Sequence, residues 1–246
     1  MTDQPLKNRI ALVTGATRGI GQAVALGLAE AGAHVIALGR TQGALENLDD
    51  EIFAATGEHA TLVPIDLRQP EGLDPLGAAI HERWGRLDIL VGAAGVLGAL
   101  TPVGHLDPKA WDMIMAVNLT ANWRLIRSMD PLLRASDAAR AIFFSSSVAQ
   151  KHRAFWGAYA ASKAGLEALV GCYDDEMENT SVRAISVNPG AMRTRMRAGA
   201  YPGEDPATLP EPKEIAPLIV ELARPDRQPP RREVVSFRDW KAAARL

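Results

Sequence analysis

The sequence predicts an α/β protein whose parallel, doubly wound sheet carries helices on both faces. Short runs of consecutive apolar residues alternate with longer segments in which apolar residues recur at helical spacing. Apolar runs without polar alternation indicate strands buried on both faces. Strands that alternate with helices become parallel neighbours joined by crossover helices. These observations favour a Rossmann-like fold, and because no repeat or shift in composition divides residues 1–246, we expect a single domain.

The predicted elements follow one another at short intervals. Helical patterns cover 20–33, 42–57, 70–84, 108–135 and 158–179, and strands are predicted at 9–15, 34–40, 60–67, 86–95, 139–147 and 181–190. A last strand is expected at 233–237. Eight of the 16 prolines follow Gly199, which predicts an irregular loop over 200–212. Such a loop is either a substrate lid or a passive surface excursion.

Composition argues against several classes of function. The formal net charge is -2 and the sequence pI is about 6.2, so no basic field attracts nucleic acid or an anionic membrane. One cysteine, Cys172, and five scattered histidines form no metal-ligand spacing, and we expect no bound metal. The longest uncharged stretch, 89–104, is shorter than the roughly 20 apolar residues of a membrane helix. The first residues lack a secretory pattern, and we expect a soluble cytoplasmic protein.

A glycine-rich turn joins the first predicted strand to the first helix. The segment 14–21 reads TGATRGIG and places glycines where a side chain would block a tight turn, the approach of a pyrophosphate, or helix–strand packing. Backbone N–H groups at the helix start would then face the anion. The turn alone is weak evidence, because a tight turn without a ligand has the same pattern. Its position after the first buried strand favours dinucleotide binding. The predicted contacts in this turn are Gly15, Thr17, Arg18, Gly19, Ile20 and Gly21.

The end of the second predicted strand indicates which dinucleotide is bound. A carboxylate at this position would bind a free ribose 2′-hydroxyl. The sequence instead has Gly39 followed by Arg40, and Arg18 lies in the glycine turn. Two guanidiniums without an acid suit a 2′-phosphate, because arginine binds phosphate through paired, charge-assisted hydrogen bonds. Two solvated surface arginines are the alternative, and we favour NADP(H) over NAD(H).

A tyrosine and a lysine share one face of an alanine-rich helix. The segment 157–169, GAYAASKAGLEAL, places Tyr159 and Lys163 four residues apart. With the glycine turn, this pair resembles the short-chain dehydrogenase/reductase family, and the resemblance extends from Ile10 to about Thr194. It implies an NADP(H)-dependent oxidoreductase that interconverts a carbonyl and a secondary alcohol by hydride transfer. A non-catalytic dinucleotide-binding regulator or scaffold on the same fold is the alternative.

The resemblance also implies roles for individual residues. The serine, tyrosine, lysine and asparagine of the family's active site correspond to Ser146, Tyr159, Lys163 and Asn118. Ser146 precedes Tyr159 by 13 residues, as in the family, and Ser147 is a second choice because a valine follows it. The cofactor contacts implied outside the glycine turn and Arg40 are Asp66, Leu67, Ala94, Gly95, Tyr159, Lys163, Pro189, Gly190 and Thr194.

The residue types support a proton-transfer site. A free phenol has a pKa of about 10, and the Lys163 ammonium one turn away is expected to lower the pKa of Tyr159 toward neutrality. Tyr159 would then act as general acid or base. The resemblance implies that Ser146 holds the substrate oxygen, that Lys163 also binds the cofactor ribose, and that Asn118 holds a water linking Lys163 to solvent.

The sequence departs from the family in one motif and leaves the substrate open. Residues 92–95 read GAAG where the family has Asn-Asn-Ala-Gly, and the missing asparagine removes a hydrogen-bonding group. Phe155 and Trp156 are either walls of a substrate pocket or core residues. The alternating arginines at 193, 195 and 197 are interpreted as a solvated basic turn. The alternative is a site that attracts an anionic substrate or the pyrophosphate of the cofactor. We expect a small-molecule carbonyl or alcohol substrate and, by resemblance, a homodimer or homotetramer.

Overall fold

Seven strands and their connecting helices form the fold. The structure is a computed structural model, and it describes residues 4–244. The strands are β1 (Ile10–Thr14), β2 (His34–Gly39), β3 (Thr61–Pro64), β4 (Ile89–Gly92), β5 (Arg140–Phe144), β6 (Arg183–Asn188) and β7 (Val234–Ser236). They pair in the order β3-β2-β1-β4-β5-β6-β7, and every pair is parallel. The predicted doubly wound parallel sheet is therefore confirmed.

The helices match the predicted patterns through the first three quarters of the chain. They are α1 (Gly19–Glu30), α2 (Gln42–Thr56), α3 (Leu76–Trp84), α4 (Pro108–Met115), α5 (Ala121–Arg134), α6 (Gly157–Glu176), α7 (Arg195–Ala200), α8 (Ala216–Ala223) and α9 (Phe237–Ala243). The helix predicted over 108–135 is interrupted by a wide π turn at Ala116–Thr120. The last three helices lie where the sequence predicts none.

Alternation along the strands fills a core on each face of the sheet. In β1, Ala11 and Val13 pack toward the side covered by α1, α2 and α8, whereas Ile10 and Leu12 pack toward the side covered by α3, α5 and α6. Successive side chains of a strand point to opposite faces, so a continuous apolar run serves both cores. Between residues 4 and 244, no helix combines the length and the apolarity that a membrane crossing requires.

The parallel sheet brings the candidate residues to one edge. The strands end at Thr14, Gly39, Gly92, Phe144 and Asn188, so the segments that follow them share the carboxyl edge of the sheet. The strand order reverses between β1 and β4, and a crevice for ligands forms at such a switch point. The Pro-rich segment near 200–212 lies after β6 at the same edge and contains a 3-10 turn at Pro206–Thr208.

Candidate active site

The glycine turn after β1 is closely packed. Gly15 and Gly19 have φ angles of 64° and 57°, in the left-handed region that favours glycine. A Cβ on Gly15 would lie 2.8 Å from Ala94 Cα, and a Cβ on Gly21 would lie 2.2 Å from the Gly15 carbonyl oxygen. The turn itself therefore requires glycine at positions 15 and 21.

The amino terminus of α1 presents backbone donors at this turn. Arg18 occupies the N-cap position, and no side chain caps the helix. The first N–H groups of a helix have no partner within the helix and, together with the helix dipole, bind anions. The donors at Gly19, Ile20 and Gly21 could hold a pyrophosphate, and the contact that the sequence predicts there stays a prediction.

The end of β2 packs beside the glycine turn. A Cβ on Gly39 would lie 2.6 Å from the methyl carbon of Thr17, so the chain that leads into Arg40 runs along the turn. Arg18 and Arg40 are both exposed, and within residues 4–244 neither forms an ion pair or a side-chain hydrogen bond. Two guanidiniums beside the turn, neither of them in an ion pair within residues 4–244, could hold the phosphate of a dinucleotide.

The segment after β3 is held by a local ion pair that the sequence analysis missed. Arg68 Nε donates to Asp66 Oδ2 at 2.8 Å and its backbone N–H to Asp66 Oδ1 at 3.0 Å. These bonds, and to a smaller extent the charge of Arg40, hold the pKa of Asp66 below its usual value. Leu67 is buried. The ionised Asp66 is therefore fixed beside β2, with Arg40 close enough to act on it.

Thr14 joins the ends of β1 and β4 where the sequence departs from the family motif. Its hydroxyl oxygen accepts hydrogen bonds from the N–H groups of Ala93 and Ala94 at 3.2 and 3.3 Å. Ala93 stands where the sequence lacks the family's hydrogen-bonding asparagine, so the bonds found at this position come from the backbone. At the preceding position, a Cβ on Gly92 would lie 2.5 Å from both Asn122 Oδ1 and the Phe143 ring, so a larger residue there would require these neighbours to move.

Asn118 is buried in the π turn, and its side chain is held by protein partners. Its Oδ1 accepts from Val96 N at 2.8 Å, and its Nδ2 donates to Val96 O at 2.9 Å and to Ser162 Oγ at 3.0 Å. Its carbonyl accepts from Asn122 Nδ2 at 2.8 Å. Both amide hydrogens are used, so Asn118 fixes the loop after β4 to α6. The position of Gly95 links Asn118 to the site, since a Cβ there would lie 3.6 Å from Asn118 Oδ1 and 3.8 Å from Lys163 Nζ.

Ser146, Tyr159 and Lys163 converge where β5 meets α6. Ser146 lies within hydrogen-bonding reach of Tyr159 and acts to lower its pKa, and Lys163 Nζ donates to the Phe144 carbonyl at 2.7 Å. Lys163 Nζ lies 5.8 Å from the centroid of the Tyr159 ring. Ser147 is exposed and begins a 3-10 turn, so of the two serines Ser146 is the one that contacts the tyrosine.

Burial shifts both titratable groups of this cluster toward their neutral forms. Burial raises the pKa of the Tyr159 hydroxyl to about 12, and Ser146 opposes this rise by hydrogen bonding. Burial lowers the pKa of the Lys163 ammonium to about 8, and the negative charge of Glu167 opposes this fall. In the protein chain alone, the expected lowering of the tyrosine pKa by Lys163 is therefore not found. Desolvation of the phenolate is the largest effect on this pKa, and Ser146, not Lys163, opposes it.

The segment after β6 folds over this cluster. Gly190 has a φ of 70°, and its N–H donates to Asn188 Oδ1 at 3.0 Å, so Pro189 and Gly190 form a tight turn. The Thr194 hydroxyl accepts from Arg197 N at 3.2 Å and caps α7, while its methyl carbon faces Gly19. The sequence analysis missed Met196, whose Sδ lies 3.9 Å from the Tyr159 hydroxyl oxygen. No periodic pattern before α7 predicts this contact.

An apolar pocket opens beside Tyr159. Phe155 is 55% exposed and has a φ of 74°, which is costly for a bulky residue, and its carbonyl accepts from Thr101 N at 3.1 Å. The Trp156 ring lies 5.9 Å from the ring of Tyr159. These two aromatics are pocket walls rather than core residues. The other apolar lining residues are Leu97, Leu100, Val103 and Leu106.

The three alternating arginines have different surroundings. Arg193 Nε donates to the Pro206 carbonyl at 2.8 Å, and Arg197 forms two 2.6 Å bonds with Glu204 while lying over the Tyr201 ring. Arg195 is exposed. All three line a cleft of about 270 Å³ between α7 and the Pro-rich segment. Arg193 and Arg197 are therefore held by partners in the same segment, although the Arg193 side chain, like that of Arg195, is exposed.

Comparisons with known proteins agree with this arrangement. Residues 9–205 match the family model described as short chain dehydrogenase. The uncharacterized oxidoreductase YciK of Escherichia coli K12 is 40% identical over 90% of this chain and 88% of its own length. Two solved short-chain dehydrogenases also match. One, from Escherichia coli CFT073 and complexed with NADPH, has a TM-score of 0.92 and 38% identity and covers 96% of this chain and 99% of its own. The other, from Shigella flexneri 2a and complexed with NADP, has a TM-score of 0.91 and 37% identity, with the same coverage.

The match spans the glycine turn, the Ser146, Tyr159 and Lys163 cluster, and the segment that folds over it. Within the described residues 4–244, no group of three or more histidine, cysteine or acidic side chains could hold a metal ion. The chain belongs to the short-chain dehydrogenase family, and it is an oxidoreductase that acts on CH–OH or carbonyl groups with NAD(P).

Proposed function

We propose that this protein is an NADP(H)-dependent oxidoreductase that interconverts a carbonyl and a secondary alcohol, with Tyr159 as general acid and base. The observation that carries the proposal is the convergence of Ser146, Tyr159 and Lys163 at the carboxyl edge of the sheet, where Tyr159 also lines a small pocket. A bound nicotinamide would supply the hydride. The chain's own residues orient the substrate and move the proton.

Each residue of the cluster has a distinct task in carbonyl reduction. The Tyr159 hydroxyl donates its proton to the substrate oxygen, and the Ser146 hydroxyl holds that oxygen by a second hydrogen bond. The ammonium of Lys163 stabilises the phenolate that remains. Since burial alone raises the pKa of Tyr159 to about 12, proton transfer depends on nearby positive charge. Alcohol oxidation uses the same groups in reverse.

The preference for NADP(H) rests on Arg18 and Arg40. Both are exposed beside the glycine turn, and a doubly charged 2′-phosphate offers each guanidinium an acceptor. The NADP and NADPH complexes of the related solved structures support this choice. An Arg40→Ala variant is expected to weaken NADPH binding at least tenfold while NADH binding changes less than twofold. Fluorescence titration with both nucleotides measures this, and tighter binding of NADH than NADPH by the unmodified protein would contradict the assignment.

The substrate we propose is a small carbonyl compound with an apolar group next to the carbonyl. The pocket beside Tyr159 holds a space of only about 10 Å³, and its described lining consists of glycine, aliphatic and aromatic residues and Thr101, with no acid or base other than Tyr159. NADPH oxidation with a panel of aliphatic and aromatic ketones and aldehydes tests the reaction. Tyr159→Phe is expected to retain NADPH binding and lose at least a thousandfold in kcat. The unmodified protein could instead bind NADPH, reduce no compound of the panel and behave like the Tyr159→Phe variant. That result would show a regulator or scaffold rather than an enzyme.

We propose that the segment from Thr194 through the Pro-rich loop acts as a substrate lid. Met196 covers the Tyr159 hydroxyl, and Tyr201 lies 5.9 Å from Trp156 and accepts a 2.9 Å hydrogen bond from Arg153. A carbonyl oxygen can reach the hydroxyl only after Met196 moves. Limited proteolysis within 195–212, with and without NADPH, reports whether this segment opens.

We also propose that copies of the chain associate through α4 and α5. Trp111 on α4 and Trp123 on α5 are 40% and 43% exposed, so much of each large aromatic side chain faces solvent. Tryptophan is enriched in interfaces between proteins. A Trp111→Ser/Trp123→Ser double variant should shift the mass measured by light scattering toward that of the monomer. A monomeric mass for the unmodified protein would contradict the proposal.

A further inference from the structure

A hydrogen bond between Ser145 and Glu167 joins the end of β5 to α6 beside the catalytic cluster. The Ser145 hydroxyl donates to Glu167 Oε1 at 2.5 Å, and Gln150 Nε2 lies 3.4 Å from the other carboxylate oxygen. Ser145 is 3% exposed, so its hydroxyl is removed from water. Hydrogen bonds to an ionised acceptor in such surroundings are short and strong.

The two chain neighbours of Ser145 contact the reactive side chains. Phe144 provides the carbonyl that accepts from Lys163 Nζ at 2.7 Å, and Ser146 lies within hydrogen-bonding reach of Tyr159 and acts to lower its pKa. The N–H of Ser145 itself donates to Val187 O at 2.8 Å in β6. A displacement of Ser145 would therefore move the partner of Lys163 and the partner of Tyr159 at the same time.

The position of Glu167 on α6 adds a second connection. Tyr159, Lys163 and Glu167 follow one another at intervals of four residues, so the carboxylate lies one turn beyond the ammonium. The charge of Glu167 raises the pKa of Lys163 against the effect of burial. The carboxylate thus both holds Ser145 and favours the charged form of Lys163.

We propose that Ser145 and Glu167 are positioning residues that fix the end of β5 against α6, so that Phe144 and Ser146 hold Lys163 and Tyr159 in the reactive arrangement. This inference rests on the proposed carbonyl reduction for its effect on turnover. Its effect on cofactor binding does not depend on which substrate is used. Misplacing catalytic groups by about 1 Å can cost a hundredfold in rate, so the loss of the bond should be measurable.

The test compares two serine variants of the full chain at pH 6.5, where Lys163 is protonated. Ser145→Ala is expected to raise the Kd for NADPH, measured by fluorescence, about fivefold and to lower kcat about tenfold or more. Ser181→Ala is the matched control, because its hydroxyl also donates to an oxygen, Ser136 O at 2.6 Å, but at the opposite edge of the sheet. Both variants should lose stability in urea, and only Ser145→Ala should change Kd and kcat.

Two variants of Glu167 separate positioning from packing. Glu167→Gln keeps an oxygen that accepts from Ser145 and should stay within about threefold of the unmodified protein, whereas Glu167→Leu should reproduce Ser145→Ala. Because Glu167 is only half buried, Glu167→Leu also tests the inference if Ser145→Ala does not fold. The Ser145→Ala/Glu167→Leu double variant should be no worse than either single variant.

Three outcomes would overturn the inference. The first is an NADPH Kd that stays unchanged in Ser145→Ala, and the second is a change of Kd in Ser181→Ala equal to that in Ser145→Ala. The third is a Ser145→Ala/Glu167→Leu double variant in which the effects of the two single substitutions multiply. A different result would reject the proposed function alone. If the unmodified protein binds NADPH but reduces no carbonyl, the reaction is wrong, and the Kd values still decide whether Ser145 and Glu167 position the site.

Discussion

Replacing the buried Lys163 by methionine should stabilise the fold while abolishing cofactor binding. Burial lowers the pKa of Lys163 from its ordinary value of 10.5 to about 8. Each pKa unit corresponds to about 1.4 kcal/mol, so keeping the ammonium charged inside the protein costs roughly 3 kcal/mol at pH 7. Methionine has a similar unbranched length and no charge to desolvate. Its expected gain is of that order, reduced by the loss of the hydrogen bond to the Phe144 carbonyl.

The pH dependence gives the prediction its sign. Below pH 8 both the folded and the unfolded chain carry the proton on Lys163. Between pH 8 and 10.5 the unfolded chain keeps a proton that the folded chain has lost, so the free energy of unfolding rises with pH in this range. The advantage of Lys163→Met over the unmodified protein should therefore shrink by about 2 kcal/mol between pH 7 and pH 10.

Urea unfolding of both proteins at pH 7 and pH 10 measures this difference. Lys109→Met, at an exposed lysine, is the control for the removal of one positive charge. Lys163→Met should also lose most of the NADPH affinity, because the family resemblance implies that the Lys163 ammonium binds the cofactor ribose. If the stability difference between Lys163→Met and the unmodified protein is the same at both pH values, the charged form of Lys163 is not destabilised by burial, and the reasoning fails.

Three further predictions concern other parts of the fold. Gly15→Ala should destabilise by about 2–4 kcal/mol in urea unfolding, because its Cβ would meet the backbone of Ala94 at 2.8 Å and its φ is 64°. Asp88→Ala should cost about 3–5 kcal/mol, since its buried carboxylate accepts from Ile10 N and Ser136 Oγ; a loss below 1 kcal/mol would contradict this. Met196→Ala should raise kcat/KM for bulky ketones at an unchanged NADPH Kd, and an unchanged kcat/KM would show that Met196 does not limit access.

The fold and the glycine turn could be predicted because their signals are local and periodic. Continuous apolar runs mark the strands, and a parallel sheet brings every strand's carboxyl end to one edge. Ser146, Tyr159 and Lys163 could be named because the interval between serine and tyrosine is fixed by the family and the interval between tyrosine and lysine is one helical turn. The cluster therefore follows from sequence together with one known spacing.

The contacts that sequence reasoning missed join segments whose approach no pattern encodes. Met196 reaches Tyr159 only because the turn at Gly190 directs the chain back over the crevice. Thr14 joins two strand ends by accepting hydrogen bonds from backbone N–H groups. The sequence predicts a helix at Asn118, and the structure has a π turn there that directs its side chain to Val96. Each depends on tertiary packing rather than on periodicity.

The pKa of Tyr159 shows most clearly what spacing leaves out. An interval of four residues predicts that Lys163 is near Tyr159, and from this proximity alone a lowered tyrosine pKa follows. Burial raises the pKa of Tyr159 to about 12 and lowers the pKa of Lys163 to about 8. It therefore disfavours the pair of a Tyr159 phenolate and a Lys163 ammonium, which the proposed proton transfer needs. Activation of the tyrosine must then come from charges that keep Lys163 protonated or oppose desolvation of the phenolate. Glu167 supplies the first from within the chain, and a positively charged nicotinamide would supply the second.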